Sequence, residues 1–246
     1  SPVNDAARIN GIIENMPQAS IPYLVFIKKA KEGIIVPGRR LGVFGAMVNP
    51  LTNTHIELIN KAREKFGLSE VVIVITKDPP YHREIEAPLY DRIRMLELFF
   101  EGEAGISIAV DNSGDFLDMA KLLKDEYPAG TELYFITGLD TMEAVVNWPQ
   151  RNPKEYLRAL FEGIRFVVTP RGTLRERKKL NARIEARLEE ADVKDLAHSH
   201  TNEMPIDKGR GEDSALEVRE LIRRGRNARA YVPKVVFDYM KENELY

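Results

Sequence analysis

Apolar residues in this chain fall into two rhythms. Short, nearly unbroken runs occur at 41–47, 71–75, 132–137 and 164–168. Runs of that length predict strands covered on both faces. Between them apolar positions recur every three or four residues. That period predicts helices over 54–66, 88–101, 114–126, 140–147 and 153–161, the first with Ile56, Ile59, Ala62 and Phe66 on one face. A weaker strand is expected near 106–110. Alternation of this kind builds an α/β fold, a doubly wound parallel sheet with helices on both faces. Ligands of such sheets bind beyond the carboxyl ends of the strands, near the switch point.

The flanks read differently. Residues 5–15 predict a short helix with Asn4 as its cap, and 23–27 a strand, followed by a basic patch of Lys28, Lys29 and Lys31. Pro37-Gly38 is a turn signal and a boundary. Residues 1–40 are therefore expected to be an extension packed on a main domain, 41–246. After Pro170 a charged helix is predicted over 174–191, with Leu174, Leu180, Ile184 and Leu188 on one face and its charges in solvent. A polar loop over 198–212 and two helices, 214–224 and 233–242, close the chain as a C-terminal helical subregion. There is no internal repeat and no low-complexity tract.

Composition narrows the chemistry. A formal net charge of −2 over 246 residues argues against a general nucleic-acid or membrane-surface binder, so any phosphate site must be built locally. The chain has no cysteine, which excludes disulfides, thiolate metal ligands and a cysteine nucleophile and agrees with a cytoplasmic protein. The longest apolar run, 21–27, contains a proline. It is far short of the ~20 residues that span a bilayer. The residues before it lack the pattern of a signal peptide.

The candidate chemistry begins at Asn49-Pro50-Leu51-Thr52-Asn53-Thr54-His55, between the first long strand and its helix. A helix start offers unpaired N–H groups and partial positive charge, so a polar turn there suits a phosphate. Pro50 stiffens the turn, Thr52 or Asn53 can cap the helix, and His55 can donate to a phosphate oxygen. On composition alone, ordinary caps and a satisfied surface histidine are the favoured reading of Thr52, Asn53 and His55. The chain has neither a dinucleotide-type Gly-x-Gly-x-x-Gly here nor a Walker-type Gly-Lys-Ser/Thr, which disfavours hydride-transfer enzymes and ordinary ATPases. His198 and His200 have no nearby third metal ligand and are expected in a surface loop. Asp111, Asp115 and Asp118 are expected to flank and cap the helix at 114–126.

The stretch 46–55 resembles the first signature of the nicotinamide/nicotinate mononucleotide adenylyltransferases, in the Thr-x-x-His form found in one branch of the nucleotidyltransferase superfamily. It departs by Ala46 for a usual glycine and Val48 for a usual phenylalanine. Five further stretches follow in the family's order. Pro79-Pro80-Tyr81-His82-Arg83 resembles its Pro-Pro-His-Lys loop, and Arg92-Ile93-Arg94-Met95-Leu96 its Arg-x-x-Met-Leu helix. Gly138-Leu139-Asp140 followed by Trp148 resembles its Gly-x-Asp…Trp stretch, and 166–171 the strand ending in Pro-Arg. Ser214-Ala215-Leu216-Glu217-Val218-Arg219 stands where the family has Ser-Ser-Thr-x-Ile-Arg, so two hydroxyls are absent. The ending, with Val232-Pro233 and Leu245-Tyr246, is also similar.

The resemblance covers 41–246 and implies a Rossmann-like nucleotidyltransferase domain. It implies adenylyl transfer from ATP to a pyridine mononucleotide, giving the dinucleotide and pyrophosphate in NAD biosynthesis. His55, Thr52 and Arg219 would be catalytic. Met47, Val48, Asn49, His55, Gly138, Asp140, Ser214 and Arg219 would hold ATP, and His82, Arg83 and Trp148 the mononucleotide. Arg92 fits either the architecture or a phosphate contact. Mg²⁺ would enter with ATP, without a protein metal cage. The expected partners are these two small molecules, with no nucleic acid and no membrane. Nicotinate or nicotinamide, and monomer or homo-oligomer, stay open. The rival readings are another transferase of the superfamily, or a nucleotide-binding protein with lost or weak catalysis, which the altered Ala215 and Leu216 motivate.

Overall fold

The computed structural model describes residues 2–45, 47–78, 87–170, 172–206 and 214–246. Seven strands form one sheet in the order β1-β4-β3-β2-β5-β6-β7. They are β1 (Leu24–Lys28), β2 (Arg40–Gly45), β3 (Glu70–Thr76), β4 (Ile106–Asp111), β5 (Glu132–Gly138), β6 (Arg165–Thr169) and β7 (Thr201–Glu203). Every neighbouring pair is parallel except β1 with β4, which is antiparallel. The chain winds outward from β2 to β3 and β4, then returns to β2's other side with β5, β6 and β7. The switch point therefore lies between the carboxyl ends of β2 and β5.

Parallel pairing explains the apolar runs. Six of the seven residues of β3 and all of β4 are buried, because helices cover both faces. One face packs on α1 (Pro2–Glu14), α2 (Asn53–Phe66), α3 (Leu89–Phe99), α9 (Ser214–Arg223) and α10 (Lys234–Glu242), around Ile59, Ile73, Leu96 and Val236. The other face packs on α4 (Phe116–Glu126), α5 (Leu139–Asn147), α6 (Pro153–Gly163), α7 (Leu174–Glu190) and α8 (Lys194–Ser199), around Val43, Phe135, Phe161 and Phe166. Burying an aliphatic or aromatic side chain is worth roughly 1.5–3 kcal/mol, so these two layers are the main stabilising term.

Residues 198–212 are not all loop. They take in the end of α8 and the strand β7, whose sequence Thr-Asn-Glu has no apolar signal. Parallel pairing of Phe166, Val167 and Val168 with β7 forms it. On α7, Ile184 and Leu188 are buried as expected, while Leu174 stays exposed. Asp115 caps α4, its carboxylate accepting from the Asp118 N–H at 3.0 Å.

The first forty residues are tied to the sheet at both of its ends. At the carboxyl edge, Asn112 donates to the carbonyls of Pro17, Gln18 and Ile21 and accepts from the Tyr23 N–H. At the amino edge, the buried Glu70 carboxylate accepts from the Ile34 N–H at 2.9 Å, the Ser107 hydroxyl at 2.8 Å and the Tyr127 hydroxyl. Burial and that carboxylate push the Tyr127 phenol well above its usual range, so it stays protonated and donates.

Candidate functional site

The strand β2 ends at Gly45, and the chain turns through Met47–Leu51 into α2 at the switch point. Thr52 is the N-cap of α2. Its hydroxyl accepts from the His55 N–H at 3.4 Å, and its own N–H donates to His55 Nδ1 at 3.0 Å. This is a capping box with histidine in the place usually held by Glu or Gln. Because Nδ1 accepts a main-chain N–H, the neutral ring carries its proton on Nε2 and is a donor there. The ring edge also packs on Phe44, with centroids 5.8 Å apart, which fixes its plane. Thr52 is fully buried, so its bearing on any ligand runs through His55.

The turn itself is held from three sides. Val48 is buried and has φ 44°, a left-handed conformation. That costs a β-branched residue about 1–3 kcal/mol and persists only where neighbours enforce it. Arg92 of α3 donates to the Met47 carbonyl at 3.0 Å, and Arg219 of α9 donates to the Asn49 carbonyl at 2.7 Å. The Tyr246 hydroxyl bonds Asn49 Oδ1. The Arg92 side chain is 1% exposed, and burial draws its pKa downward. The alternative left open by sequence is thus resolved: Arg92 holds the turn from inside. In the sequence Tyr246 stood out only as part of the family-like ending Leu245-Tyr246, and 197 positions separate it from Asn49.

Of the remaining predicted residues, Gly138 and Asp140 lie on the same edge, where β5 passes into α5. Met47 is half-buried, and the side chain of Val48 is in the core, so a nucleotide contact from Val48 falls to its main chain. Gly138 is buried at the N-cap of α5 and no side chain caps that helix. Asp140 lies exposed in its first turn, and Trp148 is its C-cap at 39% exposure. Ser214 opens α9, though its side chain is outside the described residues. His82 and Arg83 also lie outside the described residues.

Other candidates turn out to be structural. Asp111 accepts from the Thr76 hydroxyl at 2.6 Å and the Gly114 N–H at 2.8 Å, and burial pushes its carboxyl upward. His198 pairs with Glu185 at 2.7 Å, and His200 bonds the Phe161 carbonyl. Among the described residues no group of three or more His, Asp or Glu side chains is placed to hold a metal ion, and no helix is long and apolar enough to cross a membrane.

A family model described as cytidylyltransferase-like matches residues 43–220, well over half of the chain. The chain belongs to the cytidylyltransferase-like family. A probable nicotinate-nucleotide adenylyltransferase of Streptococcus pneumoniae serotype 4 is 25% identical over 214 residues, covering 85% of this chain and 89% of the relative. Proteins of the same description from Dehalococcoides mccartyi and Gloeobacter violaceus are each 27% identical, covering 84% and 85% of this chain and 97% of each relative. The nicotinic acid mononucleotide adenylyltransferase of Plasmodium falciparum, solved with NaAD, shares the fold. It matches with a TM-score of 0.60 at 15% identity, over 84% of this chain and 96% of that one. The cytidylyltransferase-like region takes in the turn at 47–55, Gly138, Asp140, Trp148 and Arg219.

Proposed function

We propose that this protein transfers the adenylyl group of ATP to nicotinate mononucleotide in NAD biosynthesis. A 5′-phosphate oxygen of the mononucleotide attacks the α-phosphorus of ATP. The bond from that phosphorus to the α,β-bridging oxygen breaks, pyrophosphate leaves, and the dinucleotide forms. The observation that carries this reading is the Thr52–His55 box, seated at the switch point of a cytidylyltransferase-like chain. The choice of nicotinate rests on the relatives matched over 89% to 97% of their length, which carry that substrate in their names.

The nucleophile is already anionic near neutral pH, so the protein need supply only position and charge stabilisation. His55 Nε2–H donates to phosphate oxygens as charge develops, and Thr52 is the positioning residue that aims it. Arg219 holds the turn through Asn49 and brings its positive charge beside it. Main-chain N–H groups at the start of α9 compensate for the hydroxyls lost at Ala215 and Leu216. Gly138 allows close approach, Asp140 accepts from ribose hydroxyls, and the exposed Trp148 stacks on the cationic pyridine ring. His82 and Arg83 bind the mononucleotide phosphate. Mg²⁺ arrives as the ATP complex, with phosphate and water oxygens as most of its ligands. Residues 41–246 form the transferase body, and its soluble substrates agree with a cytoplasmic setting.

The test is direct. Protein, ATP and Mg²⁺ are incubated with each mononucleotide, and products are identified by mass. Nicotinate adenine dinucleotide and equimolar pyrophosphate are expected, with nicotinamide mononucleotide the poorer acceptor. ATP binding without either dinucleotide would instead support the binding-only reading that Ala215 and Leu216 motivate.

A further inference from the structure

Elements far apart in sequence converge on the turn 47–50. What they have in common is that each takes up an acceptor. The Met47 carbonyl receives an N–H of Arg92, the Asn49 carbonyl receives one of Arg219, and Asn49 Oδ1 is bonded by Tyr246. With two of its main-chain carbonyls and its side-chain carbonyl taken up by donors, the turn has fewer acceptors left to face an incoming ligand, a balance that favours an anion. The Asn49 side chain is the informative member. It is 5% exposed, and its amide has one acceptor oxygen and one two-proton nitrogen. With Oδ1 bonded to the phenol, Nδ2 has no hydrogen-bond partner among the described residues.

The sense of the Tyr246 bond follows from its surroundings. The positive charges of Arg92 and Arg219 both act on the phenol. Lone pairs of the phenol oxygen face positive charge, which directs its proton to Oδ1. Burial keeps the phenol protonated and able to donate. The opposite amide orientation would set Nδ2 against the phenol and turn Oδ1 toward any bound phosphate, where two oxygens repel. The tail that carries Tyr246 is itself anchored. Tyr239 of α10 donates to Asp91 of α3 at 2.6 Å, and the Leu245 N–H returns to the Met240 carbonyl at 3.0 Å.

We propose that Tyr246 is a positioning residue for the triphosphate: it locks the Asn49 amide so that Nδ2 is presented as a donor to a phosphate oxygen of ATP. This rests on the reading of the turn as the ATP site. The test uses the full chain as wild type, Tyr246→Phe, Asn49→Ala and the double variant. Each is titrated calorimetrically with a non-hydrolysable ATP analogue and Mg²⁺, and steady-state KM values are taken for both substrates. Loss of one neutral hydrogen bond predicts analogue binding about five-fold weaker in Tyr246→Phe, with the mononucleotide KM unchanged. Asn49→Ala is expected to weaken binding at least as much, and the double variant to bind no more weakly than Asn49→Ala alone. Thermal melting confirms that each variant is folded. Unchanged affinity in Tyr246→Phe, or losses that multiply in the double variant, would overturn the proposal. A wild-type protein that binds no analogue would overturn the functional reading itself, a separate and visible outcome.

Discussion

The two edges of the sheet treat buried polar groups in opposite ways. At the amino edge the Glu70 carboxylate is met by three donors from three segments, and Arg40 and Arg165 flank Glu132 across neighbouring strands. Charge and hydrogen bonds there are mutually satisfied. At the carboxyl edge two guanidinium groups bond main-chain carbonyls, and the Asn49 amide nitrogen has no hydrogen-bond partner among the described residues. The starts of α2 and α5, which follow β2 and β5, add helix N-termini to that edge. A closed set of partners holds a fold together. A surplus of donors around a strained turn is what an anion site needs before its anion arrives.

Substitutions can break this contrast. The largest expected effect is His55→Ala, which removes one transition-state donor and should lower kcat about 10²-fold or more. Its melting temperature should move only by the loss of the capping box. Unchanged turnover would remove His55 from the mechanism. At the opposite edge, Glu70→Ala leaves the Ile34 N–H and the Ser107 and Tyr127 hydroxyls without their acceptor. Urea unfolding should show a loss of about 2 kcal/mol, since unsatisfied buried groups cost about 1–3 kcal/mol. The kcat of the folded fraction should stay at the wild-type value.

Thr52→Ala joins the two kinds of effect. It removes an N-cap hydroxyl worth about 1 kcal/mol. Because Thr52 also frames the imidazole, kcat should fall as well, and Thr52→Ser should restore both. A stability loss with full turnover would show that Thr52 is only a cap. The smallest effect belongs to the acceptor side. Trp148→Ala should raise the mononucleotide KM several-fold, in keeping with about 1 kcal/mol for an exposed cation–π contact, while the ATP KM holds. Equal rises in both constants would place Trp148 elsewhere.

Much of the architecture was legible because parallel strands buried on both faces must be apolar throughout, as β3 and β4 are. The strand β7 escaped notice for the converse reason. It is three polar residues on a sheet edge, formed by main-chain pairing with β6. The turn at 49–55 stood out as a candidate phosphate site because its cap, proline and histidine are local in sequence. Thr52 could be named a cap from its position, but the reciprocal bond to His55 Nδ1 emerges only from coordinates. Arg92 was ambiguous for a similar reason: a matching helix shows where an arginine is, and only burial tells what it touches. Tyr246 was legible only as part of a family-like ending, because its hydrogen-bond partner, Asn49, lies 197 positions away in sequence.

The central claim is that the imidazole at the start of α2 presents Nε2–H to the triphosphate. It is tested most directly by ¹⁵N imidazole spectra of histidine-labelled protein, with the His55 signals assigned by their absence in His55→Ala. The expected result is an unprotonated Nδ1 and a protonated Nε2 in the free protein, with Nε2 shifting when the Mg²⁺ complex of a non-hydrolysable ATP analogue is added. The opposite tautomer, or an Nε2 signal indifferent to saturating nucleotide, would contradict it.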